Sequence, residues 1–559
     1  MKKSLLIVLA LALMATVFVS CSNEPKKVTV TFIPGDATGQ TYTQAIPAGV
    51  ATKLEKNRFE NPGYAFNGWS MSPTGGNDYP DEGSVIFAAD TNLYAVWTKI
   101  YSITGGEATG GKLIPEKVSY IERDEIQSVK MIIEHDEDHY LSDVSLAGSK
   151  NTQAFFFLSR LVIPADSTGD IVMTPVFEEK PATVSYLSVE WDAVKSEVVE
   201  KTMTVESSDY RLVHSSTKSL SDGIYVVVSD VEIGDRISVS GDVTLIIPDG
   251  VTLKVDKGIT VPEGAKLTVF GQEQSTGELT IDKNDLDGHA GIGGDDKCGC
   301  GEIVIGGGVI TAEGGNNSAG IGGGSFNKAG AVAILKGTVY AKGGESGAGI
   351  GGGLNTDGGI ISIYGGTVDV TIATNGAGIG GGNCGDGGTI LLAGGNIKAV
   401  SYVYGLRSGA GIGGGNKGSG GDITICGATI EAQGSDGAAG IGGGLDADGG
   451  TVTIKSGNVK STGGRGAAGI GGGWDGNGAD VTIIGGTIDI TGGDGNVDVE
   501  EPWHNSAIGK GFSDHGKLDD KTLVLGGGVK LVTQGYDDTK WKEWDGKSRP
   551  YKMKTKTEE

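Results

Sequence analysis

Glu134-His135-Asp136-Glu137-Asp138-His139 gathers metal-capable side chains in six consecutive positions. An extended chain cannot turn six successive side chains onto one ion, so the run reads as the solvated acidic tip of a hairpin. Calcium chemistry has a second address in Asp446-Ala447-Asp448-Gly449, whose alternating carboxylates match part of a calcium-loop pattern. Corresponding corners hold Asp357, Asp386 and Asp475 but also Lys328 and Ser419, which breaks any continuous column of ligands. Acidic residues in turns that tolerate left-handed backbone explain these positions. No cofactor is therefore expected, and Asp446 and Asp448 stand as the calcium candidates.

Gly347-Ala348-Gly349-Ile350-Gly351-Gly352 satisfies the G-x-G-x-x-G spacing, but no helix follows to offer its N-terminus to a pyrophosphate. Five cysteines invite a disulfide count. Cys298 and Cys384 lie three repeats apart, roughly 14 Å at the spacing of stacked strands, which is beyond bridging distance. A bond within Cys298-Gly299-Cys300 would be strained, so four unpaired thiols are expected.

Cutting a polysaccharide needs a carboxylate pair, or carboxylates beside a cationic base. Between residues 286 and 513 the only arginines are Arg407 and Arg465, and the acidic residues are scattered over corners. No catalytic residue is assigned. Two expanded stretches combine aromatic and charged side chains: Tyr402, Tyr404 and Arg407 in one, Glu500, Glu501, Trp503 and His504 in the other. Insertions into a repeat become surface loops, and loops of this composition suit contact with sugar or protein.

The scaffold that must position these residues is written in a recurring phrase, Ala-Gly-Ile-Gly-Gly. Its isoleucines are Ile292, Ile321, Ile350, Ile379, Ile412, Ile441, Ile470 and a degenerate Ile508, spaced by 29, 29, 29, 33, 29, 29 and 38 residues. Such a period marks a stacked array. Eleven and thirteen residues after each of the first seven markers every residue is aliphatic, from Ile303 and Ile305 to Val481 and Ile483, and eighteen after them stand Ile310 to Ile488. Each unit thus carries three short segments with period-two alternation, and none reads as a helix. The prediction is an all-β chain whose major part, residues 286–513, is a parallel β-helix of 29-residue turns. Alanine two before the marker, Ala290 to Ala468, forms a thin inward ladder, and glycine follows the marker in all eight units. The outward columns seventeen and nineteen residues after the marker bear on ice binding, which needs regular threonine arrays on a flat face. The first is mostly Thr and Asn, but the second, Thr311, Tyr340, Asp369, Lys398, Glu431, Lys460 and Asp489, carries charges that spoil an ordered-water array.

The 101 glycines and 6% aromatic residues among 559 suit this solenoid, and the net charge of −25 argues against nucleic acid. Met1-Lys2-Lys3 followed by the apolar run Leu5 to Val19 is a secretory signal pattern over residues 1–20. Phe18-Val19-Ser20-Cys21 resembles the processing site of bacterial lipoproteins, which implies lipidation of Cys21 and a short linker, 21–26; Phe18 departs from the usual leucine. No later segment is apolar enough to cross a membrane.

In residues 27–99, Pro62-Gly63-Tyr64-Ala65-Phe66-Asn67-Gly68-Trp69 and Thr91-Asn92-Leu93-Tyr94-Ala95-Val96-Trp97 resemble the anchors of the internalin B-type, or Listeria/Bacteroides, repeat. That resemblance implies a small β-grasp-like spacer or adhesive unit of bacterial envelope proteins, with Trp69 and Trp97 in its core. Residues 100–181 look like a divergent second copy. Residues 183–285 read as the N-terminal cap and first turns of the helix, and 514–559 as a C-terminal cap and tail. The cap and repeats together resemble the glycine-rich right-handed β-helices that accompany internalin-type repeats. The expectation is a lipid-anchored, non-enzymatic protein of the cell envelope, placed at the outer membrane or cell surface and binding polysaccharide or host matrix protein. The alternative is a polysaccharide lyase or hydrolase on the same scaffold.

Overall fold

The computed structural model describes residues 26–150, 153–282, 288–327, 329–371, 375–400, 408–493, 506–512, 522–526, 530–534 and 554–557. Cys21 and the expanded stretches with Tyr402, Tyr404, Arg407, Glu500, Glu501, Trp503 and His504 lie outside the described residues. Among the described residues every regular element is a strand, and no helix is long and apolar enough to cross a membrane.

The first module is a mixed sheet in which Lys27–Ile33 runs parallel to the start of Thr91–Thr104 and antiparallel to Tyr42–Pro47. Its core is aromatic: Phe32 and Trp69 are fully buried with ring centroids 4.6 Å apart. Trp97 is half-buried and its indole N–H donates to the Pro34 carbonyl at 2.9 Å, so both tryptophans hold the module together. Thr91–Thr104 continues straight into the second module, where its end pairs in parallel with Ile171–Glu179. An opening strand paired in parallel with the closing strand is therefore common to both modules. The second has its own core around Leu113, Met131, Leu161 and Met173.

The helix is one parallel sheet of 31 strands beginning at Tyr210–Leu212. Each regular coil contributes strands such as Ile350–Gly351, Ile360–Ile363 and Thr367–Thr371, and each pairs in register with its counterpart 29 residues on. The predicted ladders point inward: Ala290, Ala319, Ala348, Ala377, Ala410, Ala439 and Ala468 are all 0% exposed. One continuous apolar core runs from Val213 to Ile508. Beyond the last full coil, Thr522–Leu525 and Lys530–Gln534 keep the parallel pairing, and Lys554–Thr557 pairs with Thr522–Leu525.

Two corner columns show why the phrase recurs. The glycine after each marker, Gly293 to Gly509, has φ between 129° and 141°, a region closed to side chains. A Cβ on Gly351 would run into the backbone carbonyl of Gly380 one coil on. Five residues after the marker, Phe326, Asn355, Cys384, Lys417, Asp446 and Asp475 all sit in the left-handed region with φ of 57–64°. Each donates its backbone N–H to the next coil, as Asn355 does to Asn383 at 2.8 Å and Asp446 to Trp474 at 2.8 Å. The cost of that conformation, about 1 kcal/mol per residue, is carried because the next coil supplies an acceptor.

The boundary at residue 183 needs correction. Thr183–Asp192 and Glu197–Glu206 form an antiparallel hairpin apart from the helical stack. Its Leu187, Val189, Trp191 and Val198 pack on Phe270, Val304, Leu335 and Tyr364, which coils beneath it point outward. Trp191 stacks on Tyr364 at 4.4 Å, and Lys336 pairs with Glu200 at 2.8 Å. Burying these outward apolar residues is the reason the segment lies across the coils instead of adding one.

An ion pair ties the second module to the helix. Glu232, 1% exposed, accepts from Arg160 Nε at 3.0 Å and from Lys254 Nζ at 3.3 Å. Arg160→Ala leaves that carboxylate to Lys254, which also serves Asp256 at 3.4 Å. The expected loss is about 2 kcal/mol in urea unfolding; a change under about 0.5 kcal/mol would show that the arginine contributes little.

Candidate functional site

Two columns of outward residues line a groove along the helix axis. One wall is Thr367, Asn396, Thr429, Asn458 and Thr487, and the other is Asp369, Lys398, Glu431, Lys460 and Asp489. The walls belong to the strands Thr367–Thr371, Asn396–Val400, Asp422–Gln433, Gly450–Thr462 and Thr487–Thr491, whose period-two alternation turns these side chains out and Val368 to Ile488 in. The groove encloses about 540 Å³. Its charges, which spoil the array for ordered water, pair along the axis: Lys398 lies 3.9 Å from Asp369 and Lys460 lies 3.1 Å from Glu431. Toward the N-terminus the same column continues with exposed Tyr340, and one residue column over Lys342 pairs with Glu313. Such a surface presents alternating acceptors and donors every 4.8 Å or so.

The calcium candidates have other duties. Asp446 occupies the left-handed corner, while Asp448 Oδ1 accepts the backbone N–H of Asn477 at 2.8 Å. Asp357 and Asp386 do the same for the N–H of Asp386 and of Ser419, at 2.9 and 2.7 Å. The acidic corners thus satisfy the backbone of the following coil. Among the described residues, no three His, Cys, Asp or Glu side chains converge as a metal site would require. Arg465 is bound to Asp436 on the preceding coil through two hydrogen bonds, at 2.9 and 2.7 Å.

Cys298, Cys300, Cys384 and Cys426 are free thiols. Burial pushes the Cys300 thiol up to about 12, and burial with the Asp295 carboxylate beside it raises Cys298. Neither is poised as a nucleophile at neutral pH. Cys298 lies near Arg236, which donates to Thr260 Oγ1 and to the Lys257 carbonyl and which burial brings down to about 10.

The acidic run Glu134 to His139 is only partly a solvated tip. Asp136 and Asp138 face water, and Asp138 pairs with Lys180 at 2.7 Å. His135 instead lies against His214, with ring centroids 3.7 Å apart, where the second module meets the start of the helix. Burial first, and then the facing His135, bring His214 down to about 4, although a hydrogen bond to the Glu137 backbone acts the other way. No sequence signal links these rings, since neither sits in a repeat.

Comparison with known families supports the first module and the helix repeats. The Listeria-Bacteroides repeat domain matches residues 29–96, and the beta helix repeat matches 303–325, 332–354, 361–383, 423–445 and 452–474. No curated protein and no solved structure matches the chain.

Proposed function

We propose that this is a non-enzymatic rod of the cell envelope, lipid-anchored through Cys21, that displays its axial groove to a neutral or zwitterionic polysaccharide. The observation that carries the reading is the continuity of the groove over five coils, with a hydroxyl or amide on one wall and charges on the other, Asp369 with Lys398 and Glu431 with Lys460 paired. A polymer of regularly spaced hydroxyls can follow such a repeat, whereas a polyanion or polycation gains little from charges already paired. The expanded stretches at 402–407 and 498–504 come in the chain shortly after the groove strands Asn396–Val400 and Thr487–Thr491. The leader pattern and the Listeria-Bacteroides repeat support the envelope location.

Catalysis is the weaker reading because Asp369, Glu431 and Asp489 are open to solvent and separated by lysines. Nothing desolvates one of them to act as a general acid. Thr429→Trp fills the groove from an exposed position. It is expected to cut retention on an immobilised neutral polysaccharide at least about tenfold while leaving thermal unfolding unchanged. Equal retention would remove the groove as the binding surface, and release of reducing or unsaturated ends by the native protein would establish the enzymatic alternative.

A further inference from the structure

A second cavity, about 500 Å³, opens where the second module meets the first coils of the helix. From the module come Phe155 and Phe157 of the edge strand Phe155–Phe157, residues 51% and 53% exposed, together with Asp143. From the helix come Ser229 and Asp230, in the corner before Val231–Ile233. Among the described residues, no lysine or arginine lines it. The two phenylalanines stand on one face of their strand, two positions and so about 6.6 Å apart. Phe156, between them, packs on the module core and also lines the cavity.

The backbone on both sides is adapted to hold this arrangement. The two-residue turn after Phe157 places Leu158 and Ser159 at φ of 45° and 60°, a conformation that ordinarily selects Asn-Gly. Opposite, the strand His139–Ala147 has a register shift between Leu141 and Asp143, which re-aims the side chains there. Asp143 Oδ1 accepts its neighbour's N–H at 2.8 Å, and Asp230 Oδ1 accepts the Thr252 N–H at 2.8 Å. Each carboxylate is thereby fixed in place with acceptor capacity beyond that one bond.

We infer that this cavity binds an ammonium-bearing sugar, a glucosamine-type unit of a polysaccharide, through cation–π contact with Phe155 and Phe157 and ion pairing with Asp143 and Asp230. Two aromatic faces and two carboxylates with no opposing cation are the complement of an ammonium group on a partly apolar ring. The chain's overall charge of −25 draws such a ligand in. The inference rests on the reading of the protein as a glycan-binding rod, but on a different surface from the axial groove.

The test is calorimetric titration of the full chain with a glucosamine hexamer and, separately, with its N-acetylated counterpart, at pH 6 and low salt. Binding of the free-amine hexamer is expected to be at least tenfold tighter than that of the acetylated one, to weaken with added salt, and to fall at least tenfold in F155A/F157A. Thr429→Trp should leave it unchanged, so that failure of the groove and failure of this cavity are told apart. If the double variant does not fold, Asp230→Asn, which keeps an acceptor for Thr252, should give the same loss. Equal binding of the two hexamers, no binding of either, or binding indifferent to both the phenylalanine and the Asp230 changes would overturn the proposal.

Discussion

Gly351→Ala is expected to destabilise the helix by at least about 4 kcal/mol and to split its unfolding into two transitions. Two separate costs meet at this position. Its φ of 135° is closed to an L side chain. The added methyl would also overlap the carbonyl and Cα of Gly380, which are backbone atoms of a paired strand and cannot rotate aside. In a stack where each coil touches only its neighbours, a break between two coils uncouples the blocks on either side. Circular dichroism during heating, with hydrogen exchange at Ile350 and Ile379, reads both effects. A melting curve within about 2 °C of the native one would show that the glycine column is not a geometric requirement. Lys417→Gly is the matched control: it relieves a left-handed residue with φ of 64° and should change stability by under about 1 kcal/mol, because the strain relieved and the added chain entropy oppose each other.

That contrast shows what the sequence makes legible. Every coil solves the same packing problem, so the marker isoleucine, the alanine before it and the glycine after it recur, and repetition exposes the strands, their faces and the pairing register. Period-two alternation has no direction, however. Val184 to Trp191 alternates as the coils do, and nothing in it distinguishes an antiparallel hairpin lying across the stack from another coil of it. Only the outward apolar residues beneath it, Leu335 and Tyr364, hint that something covers them.

The candidate sites divide along the same line. Columns seventeen and nineteen residues after the marker could be read off directly, and they do line the groove. Their charges looked like defects because pairing between Asp369 and Lys398, or Glu431 and Lys460, depends on coils being stacked in register. Contacts between modules left no trace at all. Arg160 meets Glu232 across 72 residues of chain, and Asp143 meets Asp230 around one cavity, without either member belonging to a repeat. Composition could point to a surface rich in hydroxyls, but the meeting of modules is set by tertiary packing.

The junction also responds to acid. His214 takes up its proton only near pH 4 in the folded protein, against 6.5 in an exposed ring, because charging it means leaving it desolvated and facing His135. Its folded value is depressed, so the unfolded chain binds the proton first and the stabilising contribution is complete above pH 6.5. As pH falls from 6.5 to 4 that contribution, at most about 3 kcal/mol, is lost, and below 4 no more is lost from this group. Asp138 of the adjoining turn, held by Lys180, is shifted below the ordinary carboxylate value, so its protonation falls below this window. Urea unfolding at pH 7.5, 5.5 and 4.5 should therefore show progressive weakening, with early exposure of the junction strands Gln127–His135 and Tyr210–Leu212 in hydrogen exchange. His214→Gln, which keeps a donor for the Glu137 backbone, should flatten the profile between pH 6.5 and 4 without altering the helix transition. A native profile already flat there would mean that the paired rings impose no penalty on protonation, and the junction would then have to be held by the Arg160–Glu232 pair and the apolar contacts around Tyr210 alone.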